Sequence, residues 1–372
     1  DMRALCPALD CPDLRGGYRY FDAQTDDARL VLRLIRESVE MGGTALNYAR
    51  AEKLLRSQNG LVRGVALRDT SGDSTREAEV KAKVVINATG VWVDHLRQQI
   101  GQNPRMRPLR GSHLIFQQER LPLTRAVTFL HPQDGRPVFA LPWEGVTLFG
   151  TTDHDHPGKL VTNPCISPQE VDYLLEGLQV FFPGQGLDYD DITATFSGLR
   201  PVVDTGKSDP SKESREYAVW DDNRLITVAG GKLTTFRLMA RDALKKAEGY
   251  LATHEFQHQQ PALLAHTEQV ESLDFKDNYT SAEQMRLLGR YGSEILEGLT
   301  NGDPAGHQPI PGTPYTWAEL REIAAREAVV HLDDLLLRRL RLGLLLPDGG
   351  SALLPQLGEV IQPTLGWTAE RW

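Results

Sequence analysis

Residues 83–90, with the sequence KVVINATG, constrain the fold more than any other segment of this chain. The run is apolar and β-branched and it stops on asparagine, threonine and glycine, which predicts a buried strand that delivers a tight backbone turn. A second apolar strand, at residues 225–228, leads into AGGKLTTFR, where two glycines stand immediately before a predicted helix. Such turns can approach a nucleotide, and a helix that follows glycines offers unpaired N–H donors to a negative group. An ordinary strand-to-helix connection explains each motif nearly as well.

The middle of the chain, residues 107–200, consists of short predicted strands separated by proline and glycine. One helix interrupts them at residues 168–182, which is typical of a mostly antiparallel sheet with one layer of helix. Before this part we expect a helix at residues 26–41, then strands and a charged linker, SGDSTREAEVKA. After it, a polar loop at residues 204–216 leads to the apolar strand at residues 225–228, which precedes the two glycines.

Beyond about residue 250 the composition changes, through a polar linker, to helical patterns at residues 281–299, 316–330 and 332–344. The predicted fold class is α/β plus α+β. Part of a dinucleotide-binding fold is interleaved with an antiparallel-sheet substrate domain and followed by an all-helical C-terminal domain. The expected divisions are 1–96 and 204–250 for the dinucleotide fold, 97–203 for the sheet domain and 265–372 for the helical domain.

The formal net charge of −9 over 372 residues argues against a nucleic-acid-binding protein, whose surface normally carries a basic excess. The three cysteines, Cys6, Cys11 and Cys165, are too few and too irregularly spaced for a disulfide framework or a cysteine zinc site. We therefore expect a reducing, cytosol-facing compartment. No apolar run is long enough to cross a bilayer, which leaves peripheral attachment to a membrane open.

An anionic ligand of this acidic chain must meet a local basic pocket, for which there are three candidate cations. They are Arg200 in SGLRPVV, Arg215 in KESREY and Lys232 in AGGKLTT. Arginine offers a planar fork for bidentate phosphate binding and lysine adds a point charge, so together they can hold a dianion. Each alone is also explained as a surface charge. Arg200 is the strongest candidate, because it ends a predicted strand before Pro201, where a side chain can point into a cleft.

His113, at the start of the predicted strand SHLIFQ, is the candidate general base, since a histidine can take a hydroxyl proton near neutral pH. A structural or half-exposed histidine is the plainer explanation. His154 and His156 form an H-x-H pair in TTDHDHPG. Without a third placed ligand this pair does not make a metal site, and we predict no metal.

Taken in order, seven segments of the chain resemble the FAD-dependent glycerol-3-phosphate dehydrogenase family, the aerobic and quinone-linked group. The segments are GYRYFDAQTDDARLVL (17–32), VVINATGVWVD (84–94), RGSHLIF (110–116), FALPWEGVTLFGTTD (139–153), FSGLRPVV (196–203), AGGKLTTFR (229–237) and EAVVHLDDLLLRRLRLGL (327–344). This ordered series covers nearly the whole chain and is far more specific than any one motif.

The resemblance implies oxidation of sn-glycerol 3-phosphate to dihydroxyacetone phosphate by hydride transfer to FAD, with the electrons passed to a quinone. The implied catalytic residues are His113 near the reacting hydroxyl, Arg200 at the phosphate, and Lys232 between substrate and flavin. Arg215 would also bind the phosphate. The further flavin contacts that it implies are Arg50, Ala51, Ala88, Thr89, Gly90, Gly230, Gly231, Leu233 and Thr234, with Lys232 again among them.

The resemblance also implies a place at the inner face of the cytoplasmic membrane. The basic run Arg338-Arg339-Leu340-Arg341 is compatible with contacts to anionic lipid. A solvated helix face explains the same run from composition alone. The sequence gives no information on oligomeric state.

Family members begin with a strand and a G-x-G-x-x-G loop that binds the pyrophosphate of the cofactor. This sequence contains no such loop. We expect it to lack about the first third of the family's chain, judged against ordinary domain sizes. Two alternatives stay open: a glycerophosphate oxidase that passes electrons to oxygen, and a truncated, non-catalytic interaction or regulatory module.

Overall fold

The fold is taken from a computed structural model, which describes residues 2–12, 14–156, 158–251, 279–300 and 304–372. The strands in these residues are β1 (Ala49–Arg56), β2 (Val62–Asp69), β3 (Glu77–Lys81), β4 (Val85–Asn87), β5 (Met106–Gln117), β6 (Val127–Leu130), β7 (Pro137–Trp143), β8 (Val146–Gly150), β9 (His154–Asp155), β10 (Ile192–Val203), β11 (Tyr217–Asp222) and β12 (Leu225–Gly230). The helices are α1 (Met2–Leu5), α2 (Asp27–Glu40), α3 (Val93–Gln98), α4 (Pro168–Phe181), α5 (Phe236–Glu248), α6 (Ser281–Thr300), α7 (Trp317–Arg326), α8 (Leu342–Leu345) and α9 (Leu354–Leu365). The predicted linker beyond residue 251, and the start of the expected 265–372 domain, lie outside the described residues.

The largest sheet is antiparallel and has the strand order β10-β5-β8-β7-β6, with β9 pairing on β5. It confirms the prediction made from the short strands that proline and glycine separate. Its two longest strands, β5 and β10, pair from Ile192 opposite Phe116 to Val203 opposite Met106. α4, which precedes β10 in the chain, packs over one face of this sheet.

Each face of this sheet packs against a different helical layer, because alternate residues of a strand point to opposite sides. Leu114 and Phe116 of β5 are buried in a core that contains Leu174 of α4. Ile115, between them, is buried in a separate core together with Leu320 and Ile323 of α7. The sheet is therefore the middle layer of three, which confirms the predicted fold of a sheet domain followed by C-terminal helices.

The second sheet, β11-β12-β4, contains the two strands that ended on glycine motifs in the sequence. β12 runs parallel to β4, with Leu225 opposite Val85, while β11 pairs with β12 in the antiparallel sense. Since β4 and β12 are parallel, their carboxyl ends open on the same edge of the sheet. β11 is not among the strands predicted from the sequence.

A third sheet, β1-β2-β3, corrects the prediction of a charged linker at SGDSTREAEVKA, because β3 lies within that segment. All five side chains of β3 are exposed. Charged and apolar residues do alternate in β3, as Glu77-Ala78-Glu79-Val80-Lys81, but the alternation covers only five residues within a segment rich in charge. The charge dominated the pattern, and the segment was therefore predicted as a linker. The sheet packs on the second one through Leu54, Val62 and Leu225.

The C-terminal helices are joined to the rest of the chain by buried ion pairs. α2 begins at its N-cap Asp26, whose carboxylate accepts a hydrogen bond from the backbone N–H of Arg29. The Arg29 guanidinium, 3% exposed, donates to both carboxylate oxygens of Glu327 at 2.6 and 2.5 Å. This bidentate pair fixes α2 against the residues that follow α7.

The single helix expected at residues 332–344 is instead a π-helical segment, Asp334–Arg339, followed by α8. Arg341 separates the two with a φ of 58°, in the left-handed region that a continuous helix excludes. Its guanidinium donates to Asp26 at 2.6 Å, while Arg338 donates to Asp333 and buried Arg339 donates to the Glu327 carbonyl. Arg339 and Arg341 are thus used inside the protein, whereas Arg338 pairs with Asp333 at the surface, so the run is not one solvated helix face. The predicted contact with lipid stays a prediction. In the described ranges, no helix has the length and apolar character required to span a bilayer.

Candidate functional site

His113 and Arg200 lie on one face of the large sheet, on the neighbouring strands β5 and β10. His113 is opposite Phe196 and stacks on its ring, with 4.7 Å between the ring centroids. Both residues had been expected at strand ends, and the structure corrects this. Each lies inside a strand of twelve residues, because the β5–β10 ladder continues through Pro108 and Pro201.

Two glycines make room for these side chains. A Cβ atom built on Gly111 would lie 2.3 Å from the guanidinium nitrogens of Arg200, and one built on Gly150 would lie 2.4 Å from the imidazole Cδ2 of His113. Real Cβ atoms do not approach other atoms so closely. Each of these two side chains therefore lies over a glycine of the adjacent strand. The need for glycine at these positions follows from the pairing of the strands and cannot be read from either strand alone.

The environment of His113 keeps its imidazole neutral. Burial, and secondly the charge of Arg200, lower the pKa of His113 to about 4. Its Nδ1 atom is buried and has no hydrogen-bond partner in the described part of the protein. At neutral pH the ring is thus uncharged, and the buried Nδ1 is not accessible to a ligand.

Asp153 gathers three arginines at the end of the same sheet. Its carboxylate, 5% exposed, accepts hydrogen bonds from Arg200 at 3.1 Å and from Arg215 at 2.6 Å. Arg136 approaches the same carboxylate to 3.7 Å. Burial lowers the pKa of Arg200, and the charges of Arg215 and Arg136 act in the same direction. The cluster is therefore a basic pocket within an acidic protein.

The sequence analysis missed Asp153 and Arg136. Arg136 lies in the turn before β7 and Asp153 follows β8, so neither carries a motif of its own. The pairing of β7 with β8 brings them together, with Phe139 opposite Gly150. The signal that could have indicated them is a charged residue directly beside a predicted strand, Asp153 in GTTD and Arg136 in DGR.

Glu170 supports the site from the opposite face of the sheet. Its carboxylate accepts hydrogen bonds from the hydroxyls of Ser112 at 2.9 Å and Thr152 at 2.7 Å, and Arg110 lies 2.6 Å away. Burial raises the pKa of Glu170, but the hydrogen bond from Thr152 and several others outweigh it and lower the pKa to about 2. Glu170 also completes the capping box of α4 with Ser167, so one ionised side chain joins the helix start to β5 and to the residue before Asp153.

The expected flavin residues around the glycine motifs lie at the shared carboxyl edge of β4 and β12. Ala88 and Thr89 follow β4 and are exposed, and a Cβ on Gly90 would meet nothing within 4 Å. Beyond β12, the side chains that are exposed belong to Lys232, Leu233 and Thr234. The structure thus brings these two groups of residues to one open edge.

Gly230 and Gly231 are required by the protein itself. Their φ angles are 77° and 83°, and a Cβ would lie 2.6 Å from the Glu216 carbonyl oxygen or from the Met239 sulfur. This conformation ends β12 and leaves Lys232 exposed at the start of the helical run. Tyr217 pairs with Gly230, so Arg215 and Lys232 both leave the same end of the β11–β12 ladder, two residues beyond that pair.

Arg50 and Ala51 lie elsewhere, at the start of β1 in the third sheet. This end of β1 is next to the C-terminal helices, since the Tyr48 hydroxyl donates to Asp334 at 2.8 Å. Within the described residues, no side-chain hydrogen bond or ion pair joins Arg50 to the edge that carries Gly90.

An open cleft of about 760 Å³ on the third sheet contains none of the expected site residues; it is lined by residues that include Lys53, Arg56, Arg63 and Lys81. His154, in β9, is exposed, and His156 contacts the Lys159 carbonyl at 3.3 Å. The described ranges contain no group of three His, Cys, Asp or Glu side chains arranged to hold a metal ion.

Comparison with known proteins gives two family matches that together cover almost the whole chain. A family described as "FAD dependent oxidoreductase" matches residues 1–237, and one described as "C-terminal domain of alpha-glycerophosphate oxidase" matches residues 243–372. The change from one to the other falls near the composition change seen in the sequence.

Individual relatives support the same family assignment. Glycerol-3-phosphate dehydrogenase 2 of Mycobacterium tuberculosis is 32% identical over an alignment of 388 positions. The alignment covers 98% of this chain and 64% of the relative. Aerobic glycerol-3-phosphate dehydrogenase of Bacillus subtilis is 38% identical over 250 residues, covering 64% of this chain and 44% of the relative. The chain therefore spans less than two thirds of the length of these relatives.

A solved structure shares the fold over nearly all residues. The glycerol-3-phosphate dehydrogenase from Bacillus halodurans, complexed with FAD, superposes with a TM-score of 0.78 at 30% identity. The match covers 99% of this chain and 75% of that structure.

Proposed function

This chain belongs to the FAD-dependent oxidoreductases, within the glycerol-3-phosphate dehydrogenase family, and from this we propose that it oxidises sn-glycerol 3-phosphate to dihydroxyacetone phosphate. The observation that carries the proposal is the position of a neutral His113 on the same sheet face as Arg200, which Asp153 holds together with Arg136 and Arg215. A phosphate monoester with a neighbouring secondary alcohol has the two groups that such a pocket recognises.

The residues at the shared edge of β4 and β12 fit a flavin. Ligands of parallel sheets bind outside the carboxyl ends of the strands, where Ala88, Thr89 and Gly90 follow β4. The space beside Gly90 is open, and the start of the helical run after Lys232 presents backbone N–H groups that have no acceptor one turn earlier. We propose that these two segments hold the flavin, and that Arg50 and Ala51 contact it only on its adenine side. When bound, FAD supplies the acceptor for the hydride that leaves C2 of the substrate.

Arg200, Arg215 and Lys232 bind the substrate phosphate in this proposal. The arginine forks suit phosphate oxygens, and Lys232 reaches the pocket from the flavin edge. Part of Arg200 is already fixed, because its guanidinium also donates to the Thr152 carbonyl and the Thr151 hydroxyl, each at 3.1 Å. A preorganised cation loses less entropy when the phosphate binds.

His113 takes the proton of the C2 hydroxyl. Its neutral ring allows His113 to accept a hydrogen bond from the alcohol through Nε2, since Nδ1 is buried out of reach of a ligand. A phosphate bound at Arg200 would offset the positive charge that lowers the His113 pKa. Substrate binding therefore makes His113 a stronger base at the moment when the base is needed.

We propose a quinone as the electron acceptor, with peripheral contact at the cytoplasmic face of the membrane, following the aerobic relatives. Oxygen is the second candidate, because the C-terminal family match is described by an α-glycerophosphate oxidase. The two differ in products: an oxidase consumes dissolved oxygen and releases hydrogen peroxide, whereas a dehydrogenase reduces an added soluble quinone.

The decisive experiment adds FAD to the purified 372-residue chain, records the visible flavin spectrum, and then adds glycerol 3-phosphate without oxygen. We expect bound flavin to bleach, and Arg200→Gln to need at least tenfold more substrate for the same bleaching, as loss of a charge-assisted hydrogen bond predicts. Arg125→Gln, an exposed arginine before β6, is the matched control. Flavin that binds but never bleaches would favour the non-catalytic module, and a chain that takes up no FAD would contradict the proposal.

A further inference from the structure

Arg136 occupies a position in the basic pocket that the proposed function leaves unused. It lies in the turn between β6 and β7, where the His131 N–H donates to the Arg136 carbonyl at 2.7 Å. Its guanidinium points to Asp153, 3.7 Å from the oxygen that also receives Arg215. The side chain is 21% exposed, so it is neither a solvated surface group nor a sealed structural one.

The charges of the cluster do not balance. Asp153 supplies one negative charge, and the guanidiniums of Arg136, Arg200 and Arg215 supply three positive charges around it. Counting these four side chains gives a net charge of about +2, which matches a phosphate dianion. Burial lowers the pKa of Arg200, the Asp153 charge opposes this, and the charges of Arg215 and Arg136 lower the pKa further, so the three cations lie close enough to repel one another.

Asp153 contacts each arginine through only part of its guanidinium. Arg215 donates to it through Nη2, and Arg200 through Nη1, on opposite carboxylate oxygens. Among the described residues, no further hydrogen bond of the Arg215 or Arg136 side chain is present to occupy the remaining nitrogens. These N–H groups stay available to a ligand, while one buried carboxylate lies within 3.7 Å of all three arginines.

We propose that Arg136 is a third phosphate-binding arginine, and that Asp153 is the positioning residue that holds Arg136, Arg200 and Arg215 around one dianion. The inference rests on the proposed function, since it assigns further residues to the same substrate site. It makes the pocket selective for a phosphate monoester dianion over neutral polyols, because three like charges are held together and only a multiply charged ligand offsets their repulsion.

The test measures binding of glycerol 3-phosphate and of inorganic phosphate to the full chain by calorimetry, below and above the second phosphate pKa of about 6. We expect Arg136→Gln to weaken both ligands by about 10- to 100-fold above that pKa and much less below it. Arg136→Lys should recover part of the loss, because it keeps the charge without the fork. Arg125→Gln, at the opposite end of the β6–β7 hairpin, should bind like the unmodified chain.

Asp153→Asn distinguishes a positioning role of Asp153 from a purely electrostatic one, because the two roles change phosphate affinity in opposite directions. Removing the carboxylate charge alone would strengthen phosphate binding, because the cluster becomes more positive. Loss of positioning weakens it, and we expect a loss of at least tenfold, with a smaller effect when Arg136 is already glutamine. Tighter phosphate binding by Asp153→Asn would overturn the positioning role.

The outcomes distinguish this inference from the proposed function. If Arg200→Gln loses glycerol 3-phosphate while Arg136→Gln binds normally, the third arginine is wrong and the proposed substrate site stands. If neither substitution affects binding, or the unmodified chain binds no phosphate, both are wrong. Melting curves of each variant identify loss of the folded state, and Arg136→Lys then serves as the folded comparison.

Discussion

His113 shows how one residue acquires a chemical role from its neighbours. Burial on the face shared with Phe196, and the nearby Arg200 charge, lower its pKa to about 4 from an ordinary value of about 6.5. The folded protein keeps the ring neutral in a range where the unfolded chain protonates it. The free energy of unfolding therefore falls as the pH drops from about 6.5 to about 4, because the unfolded state binds the extra proton.

We predict that the stability difference between the natural chain and His113→Asn changes by about 2–3 kcal/mol between neutral pH and pH ~4.5, with the natural chain losing more. Asparagine has no charge to gain, so the substitution removes this pH dependence. Urea unfolding at the two pH values measures it, with His95→Asn, on an exposed histidine, as the control. Parallel pH curves for the natural chain and His113→Asn would contradict the lowered pKa.

At the scale of the strand, the site requires one position without a side chain on β5 and one on β8. Gly111 lies under the Arg200 guanidinium and Gly150 lies under the His113 ring. Gly198, which pairs with Gly111 across the β5–β10 ladder, has nothing within 4 Å of a built Cβ. Two glycines opposite each other thus differ completely in their tolerance of a methyl group.

Gly111→Ala should displace Arg200 and weaken phosphate binding by at least tenfold, with about 1–3 kcal/mol lost in stability through overpacking. Gly150→Ala should displace His113, and should slow flavin bleaching while leaving phosphate affinity within about twofold, since no arginine moves. Calorimetry with inorganic phosphate and the anaerobic bleaching rate measure the two effects. Gly249→Ala, at the end of α5 where a built Cβ also meets nothing within 4 Å, is the matched control and should change neither quantity; equal effects at all three substituted glycines would refute the steric explanation.

At the scale of the whole molecule, three layers are held together by the sheet in the middle and by buried charges at the side. α2 meets the C-terminal helices through the pair of Arg29 and Glu327, whose side chains are 3% and 1% exposed. Beside it, Arg290 contacts both Asp26 and Glu144, so the sheet domain, α2 and α6 share one ionic cluster. The helices and the catalytic face are thereby fixed relative to each other.

Glu327→Gln should lower the free energy of unfolding by about 3–5 kcal/mol, because it leaves the buried Arg29 guanidinium without a counter-charge. The double change Arg29→Met with Glu327→Leu should recover most of this loss, since no charge stays buried. Urea unfolding measures both. The exposed helical pair Glu322 and Arg326 supplies the control, in which Glu322→Gln costs less than about 1 kcal/mol. A similar cost at both glutamates would show that the buried pair does not join the layers.

The sequence by itself determined the class of the fold and the chemistry of the site. Apolar runs that end on glycine located β4 and β12, strands separated by proline and glycine located the large sheet, and helical spacing located α2, α4 and most C-terminal helices. It also selected His113, Arg200, Arg215 and Lys232 as candidate site residues. The structure places His113 and Arg200 on one sheet face, Arg215 at the Asp153 carboxylate, and Lys232 after β12 of the second sheet. These features are local, because residue type and spacing reflect the secondary structure that a segment prefers.

Only the tertiary structure decided how the chosen residues are held. β3 alternates charged and apolar residues, but it is short, exposed and embedded in a charged segment, so its pattern was attributed to a linker. The basic run at residues 338–341 looked like a surface because the acceptors of Arg339 and Arg341 lie 12 and 315 residues away in sequence. Asp153 and Arg136 acquire their place from the pairing of β7 with β8, and Gly111 and Gly150 matter only because a neighbouring strand lies across them. Cross-strand register and buried charge pairing are non-local interactions, so the order of residues along the chain does not encode them in any single segment.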